Sequence, residues 1–113
     1  MKKVLKPWGY EDIWAVTDKY IGKIIFINPN QRLSLQYHEN KEETIYVLSG
    51  TLRVWSSNDE KDFIELEPGG VYHVAPKKLH RFGCGPNPEG VRIAEVSTPE
   101  IDDVVRLSDD YGR

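Results

Sequence analysis

Turn-forming residues cut this chain so often that no stretch is left for a substantial helix, and that limits what it can fold into. Asn28-Pro29-Asn30, Ser49-Gly50, Ser56-Ser57-Asn58-Asp59, Pro68-Gly69-Gly70, Pro76 and the run 83–90 gather residues that favour turns. Between them lie short segments rich in β-branched and aromatic side chains, at 20–28, 32–38, 44–48, 51–55, 63–66, 71–75, 79–82 and 91–96, which read as strands. Only 100–105 reads as a helical turn or two. Many short strands with frequent turns predict an all-β sandwich or barrel. The 113 residues are expected to form a single domain, residues 1–113, with an N-terminal arm over about 1–15 and a C-terminal tail over about 99–113.

The segment 32–38 alternates strictly, with Leu33, Leu35 and Tyr37 on one face and Arg32, Ser34, Gln36 and His38 on the other. If the polar face looks into a barrel, three apolar side chains lie outside and need a cover. The N-terminal arm with Trp8 and Trp14 would serve, or a second subunit, so a homodimer is expected. Trp8, Trp14 and Trp55 are read as core or interface residues.

Charge and composition narrow the partners. A net charge of −3 with no basic run beyond a lysine pair argues against nucleic acid, which needs a concentrated positive field. The longest apolar run, Ile24 to Ile27, has four residues and cannot span a membrane. The N-terminus lacks the apolar core of a signal peptide, so a cytoplasmic location is expected. The single cysteine, Cys84, excludes an internal disulfide and a cysteine-based zinc site, and no neighbour would activate it as a nucleophile.

The chemistry-bearing residues are few. Gln36 and His38 project from one strand face, Glu43 follows across a short charged turn, and His80 sits beside a later turn. Two imidazoles, a carboxylate and an amide oxygen suit a divalent first-row metal and leave positions open for a ligand. Taken singly, Glu43 also fits a solvated surface, and the histidines fit packed positions.

The chain resembles the cupin family. The family's first motif runs Gly, five residues, His-x-His, three or four residues, Glu, six residues, Gly. Here Asn30, five residues, Gln36-x-His38, four residues, Glu43, six residues and Gly50 stand in that order. The second motif begins at Gly69, turns through Ala75-Pro76-Lys77-Lys78 and ends at His80. Asn30 replaces the turn glycine, which an αL-tolerant residue can do. Gln36 replaces the first histidine. The resemblance implies an all-β cupin double-stranded β-helix, a jelly-roll barrel.

A closer resemblance is to the cupin domain of phosphomannose isomerases, including the C-terminal domain of the bifunctional type II enzymes. It is carried by Lys6-Pro-Trp-Gly9, Arg32-Leu-Ser-Leu-Gln36-x-His38, Val47-Leu-Ser-Gly-Thr51, His80-Arg81, Asp102-Asp-Val-Val-Arg106 and Asp110-Tyr-Gly-Arg113. It implies metal ligation by Gln36, His38, Glu43 and His80, with zinc first and iron, manganese or nickel as alternatives. It also implies a sugar or sugar-phosphate ligand and a place in carbohydrate metabolism or polysaccharide biosynthesis. The expected activity is aldose–ketose isomerisation of a sugar phosphate, as in mannose-6-phosphate isomerases. Arg106, and less directly Arg113, would anchor the phosphate. Glu42 and His73 are the candidates for the proton-transferring group, while Lys41 and Arg32 fit solvated surface better. A non-catalytic sugar- or metal-binding module and a sugar epimerase are the alternatives. The departures are Glu39-Asn40-Lys41 where the bifunctional enzymes are histidine-rich, and the missing glycine-rich nucleotide loop.

Overall fold

The computed structural model describes residues 1–113 and contains strands but no helix. Six strands form one sheet in the order β1-β2-β3-β10-β5-β8: β1 Lys2–Lys6, β2 Gly9–Val16, β3 Ile21–Ile27, β10 Val91–Ser97, β5 Glu43–Ser49 and β8 Val71–Val74. A second sheet, β7-β6-β9, is built from Phe63–Leu66, Leu52–Trp55 and Arg81–Cys84. A short pair, β11 with β4, joins Val105–Ser108 to Leu35–Tyr37. Backbone bonds from Leu33 N–H to the Phe82 carbonyl, and in both directions between Gln36 and His80, attach that pair to the end of β9. The all-β jelly-roll barrel expected from the sequence is what the chain forms.

Alternation decides which side chains enter the barrel. Ile21, Lys23, Ile25 and Ile27 on β3, Glu43, Ile45 and Val47 on β5, and Val91, Ile93, Glu95 and Ser97 on β10 are all buried. All the apolar members but Ile21 join Trp8, Leu33, Leu52, Val54, Val74, Phe82 and Cys84 in one core cluster. That core fills one part of the barrel, and the polar inward residues Lys23, Glu43 and Glu95 line the other.

Several expected elements differ. The residues read as an N-terminal arm are β1 and β2, hydrogen-bonded in register with β3. The segment 100–105 is a turn followed by the start of β11, not a helix. Only Leu35–Tyr37 of 32–38 is regular strand, because Arg32 and Gln36 make isolated bridges to Gly83 and His80 instead of a continuous ladder. The alternation therefore breaks: Leu33 belongs to the core, and Leu35 is buried within the single chain. That face needs no second subunit. Trp8 and Trp55 are buried, while Trp14 is exposed.

Asn30 has φ 62°, the left-handed conformation expected where the related motif has glycine. Gly50, at φ 78°, could not carry a side chain at all, since a Cβ would fall 2.4 Å from the Gly90 carbonyl oxygen. The C-terminal segment is tied down by a fork from Arg32 to Asp110, Nε to Oδ2 at 2.6 Å and Nη2 to Oδ1 at 2.9 Å. That guanidinium holds the Asp110 carboxyl below its ordinary range.

Two expectations follow. Asn30→Ala should lower stability by about 1 kcal/mol while Asn30→Gly stays near wild type, because only alanine meets the αL penalty; urea unfolding would show both. A carboxyl with a depressed folded-state pKa contributes stability that is present above its unfolded value and lost as pH falls through the folded one. Exchange protection of the 105–113 amides should therefore persist at about pH 5 and weaken below about pH 3.9, and Arg32→Ala should remove that pH dependence.

Candidate metal centre

His38, Glu43 and His80 converge inside the barrel, with their ligand-type atoms all within 4.8 Å of one another. His38 follows β4, Glu43 opens β5, and His80 precedes β9 directly opposite Gln36. All three converging side chains are almost wholly buried. His38 Nε2 lies 3.7 Å from one Glu43 oxygen and His80 Nε2 3.4 Å from the other.

The outer nitrogens fix the tautomers. His38 Nδ1 lies within hydrogen-bonding distance of the Asp103 carbonyl, and His80 Nδ1 is 2.9 Å from the Lys78 carbonyl. A carbonyl oxygen only accepts, so each Nδ1 carries a proton, and each Nε2 is left facing Glu43, where the neutral ring offers its lone pair to a cation. Both Nε2 atoms are buried with no hydrogen-bond partner. Lone pairs facing a carboxylate across a dry gap repel unless a cation lies among them. The donor set fits a divalent ion, and the carbonyl-bound Nδ1 groups are the outer support such ligands usually have. Gln36 lines the same cavity, and its Oε1 accepts a hydrogen bond from Ser34.

Lys41 is the residue the sequence misassigned. It is 5% exposed, with Nζ 3.1 Å from Glu43 and 3.3 Å from Glu95. Lys23 pairs with Glu11 at 3.2 Å on the same inner surface. Burial opposes the charge on Lys41, but Glu95 and Glu43 outweigh it and raise its pKa. Burial would likewise raise the Glu43 pKa, yet donation from His38 and His80 when their Nε2 atoms carry protons, and then Lys41, hold it well below the ordinary carboxylate range; a bound cation would take the place of those protons. Glu95, with burial and Glu43 against it, is pushed up. No local pattern marks Lys41, because Glu95 lies far along the chain on β10.

Asp103 organises the loop from outside. Its carboxylate accepts the N–H groups of Glu39, Asn40 and Lys41 at 3.0, 2.7 and 3.0 Å. These bonds, Asn40 first and then Glu39, lower its pKa. The turn that delivers Lys41 and Glu43 thus rests on the C-terminal segment.

The remaining candidates divide. A cavity of about 250 Å³ runs from the cluster to a rim carrying Lys2, Lys6, Arg106 and Arg113. Arg113 pairs with Asp109 at 2.8 Å, whereas Lys2, Lys6 and Arg106 make no ion pair. The sequence reading overlooked Lys2 and Lys6, which face inward from a strand taken for an arm. Glu42 and His73 correct another expectation. They pair with each other at 2.6 Å, each about half exposed, on the outer face of the large sheet. Glu43 points inward, so its neighbour Glu42 is directed outward, and His73 shares that side through its register with Thr44. Neither reaches the cavity. Arg32 serves the Asp110 and Glu60 contacts away from it. Burial raises the Cys84 thiol pKa, so it is an inert core residue.

The family described as Mannose-6-phosphate isomerase C-terminal matches residues 1–109. The alginate biosynthesis protein AlgA of Pseudomonas aeruginosa is 34% identical over 98% of this chain, and the mannose-1-phosphate guanylyltransferase of Escherichia coli K12 is 34% identical over 99%. The chain spans about a quarter of the length of these curated relatives, 23% in each case. A cupin-like protein from Thermotoga maritima superposes with a TM-score of 0.74 at 18% identity, covering 88% of this chain and 76% of that one. These likenesses overturn the expected aldose–ketose isomerase. The relatives are named for guanylyl transfer and polysaccharide biosynthesis, they match this chain over only about a quarter of their length, and they show no isomerase activity for it.

Asp103→Ala keeps the backbone carbonyl beside His38 but releases the 39–41 turn, and should lower the affinity for zinc by about tenfold, the scale seen when the support around metal ligands is loosened. Competition with a chromophoric chelator measures this, and Asp103→Asn should retain part of the affinity through its remaining acceptor oxygen.

Proposed function

The chain belongs to the mannose-6-phosphate isomerase C-terminal family, and from that membership we propose that it is a metal-dependent sugar-phosphate-binding domain. His38, Glu43 and His80, with Gln36, would hold one divalent ion, zinc in the first instance. The observation that carries this reading is the pair of buried, unpartnered imidazole nitrogens aimed at a buried carboxylate. When bound, the ion supplies a Lewis acid for sugar oxygens.

The protein's own groups supply the rest of the reading. Glu95 offers Lys41 a second carboxylate, so Glu43 can serve a metal without leaving a buried ammonium unpaired. Glu11, Glu43 and Glu95 against Lys23 and Lys41 make three negative charges and two positive ones. A divalent ion turns that net −1 into +1, which favours an anionic ligand. Lys2, Lys6 and Arg106, free of ion pairs at the rim, are suited to a phosphate, while the polar wall of Ser34, Gln36, Lys41 and Glu95 suits hydroxyl groups. The E. coli relative is named for a mannose phosphate and the others for alginate and xanthan. A hexose phosphate on the way to a polysaccharide is therefore the ligand class.

Elemental analysis and titration calorimetry test this together. About one divalent ion per chain is expected, lost in the folded His38→Ala/His80→Ala double variant. Mannose 1-phosphate and mannose 6-phosphate should bind the metal-loaded protein. Arg106→Ala should weaken them by about tenfold, the loss of one charge-assisted contact, and leave unphosphorylated mannose unaffected. Protein that takes up no metal on reconstitution, or that binds mannose as tightly as its phosphates, would overturn the reading.

A further inference from the structure

Trp8 carries a polar group that the fold leaves unused. It stands between β1 and β2, 2% exposed, and its indole Nε1 is buried with no hydrogen-bond partner. A donor left unpaired away from water is costly and rare in native proteins. The other two indoles are accounted for: Trp55 Nε1 donates to the Glu60 carbonyl at 3.0 Å, and Trp14 is exposed. Trp8 also lines the cavity that leads to the candidate metal centre. Register sets Gly9 opposite Ile27 and Glu95 opposite Lys23. Trp8 therefore enters from one end of β3 and the charged groups from the other, about 13 Å of strand apart.

The surroundings of Trp8 decide what that donor can read. Of the cavity lining, Trp8, Ile25, Leu33 and Phe82 also belong to the apolar core cluster. A phosphate placed among them would lose its hydration without gaining a cation. A hydroxyl would accept from the indole but find no acceptor there for its own hydrogen. An oxygen that only accepts meets neither cost, and the ring oxygen of a closed sugar is such an atom. We propose that the Trp8 indole N–H donates to the ring oxygen of a pyranose phosphate, so that the cavity selects the closed ring and admits the sugar ahead of its phosphate. This assignment rests on the sugar-phosphate reading above. The apolar side chains receive the carbon face of the ring, while Ser34, Gln36, Lys41 and Glu95 remain for its hydroxyl groups.

Three tryptophans give three indole signals in a proton–nitrogen correlation spectrum. In zinc-loaded protein, the signal missing from Trp8→Phe should shift when mannose 1-phosphate is added, while the other two stay in place. By titration calorimetry, the carba analogue of mannose 1-phosphate, with a methylene in place of the ring oxygen, should bind wild type about tenfold more weakly. Trp8→Phe should bind the two ligands alike, which closes a cycle between donor and acceptor. An unmoved Trp8 signal in protein that binds mannose 1-phosphate overturns the proposal and leaves the sugar-phosphate reading standing. A preference for the natural ring that survives in Trp8→Phe does the same. Binding of neither ligand overturns both. Should Trp8→Phe fail to fold, wild type decides alone: equal affinity for the two ligands, or no indole signal that moves on binding, overturns the proposal.

Discussion

Two carboxylates, Glu43 and Glu95, are buried inside a barrel otherwise closed by isoleucine, valine and aromatic side chains. A buried charge without a partner costs several kcal/mol, and the polar architecture answers that cost. Lys41 lies between them, Lys23 and Glu11 extend the chain of charges, and two imidazoles face Glu43 with their lone pairs. The fold tolerates these groups because they sit at successive inward positions of β5 and β10, whose register is locked by the apolar residues beside them. Packing fixes the geometry, and the polar spine uses it.

The parts of the site legible in the sequence were those set by short-range rules. Gln36-x-His38 projects to one side because strands alternate, and the glycine requirement at position 30 could be met by asparagine, as its positive φ shows. The rest depended on partners distant in sequence. Lys41 sits in a turn of charged residues that reads as solvent-facing, and its buried partners are the inward Glu43 and Glu95 on a strand about fifty residues later. Glu42 was placed near the chemistry as the neighbour of Glu43, and His73 by its place on the strand 71–75, although parity sends both to the opposite side of the sheet. β1 went unseen because a strand at the edge can carry lysines that disguise its alternation.

Family membership and activity separate here in a physical sense. The likeness runs through the backbone turns, the converging side chains and the terminal arginine-bearing segment. Those features define a cavity and what it can hold. They do not supply a proton-transferring group, and the two side chains that looked suited to that task lie outside the barrel. The geometry suits an ion and an anion, as proposed; reaction is a further requirement.

The dependence of the ligand-bearing turn on Asp103 bears on the order of events during synthesis. His38, the 39–41 loop and β4 emerge early, but their supports, Asp103 and β11, lie some sixty residues downstream. β5 likewise needs β10 at its side before Glu43 and Glu95 come together around Lys41. A nascent chain therefore carries all four candidate ligand residues before their geometry exists. The donors stay scattered and flexible until the segment through β11 has folded back over them, so any ion they hold belongs to the finished barrel.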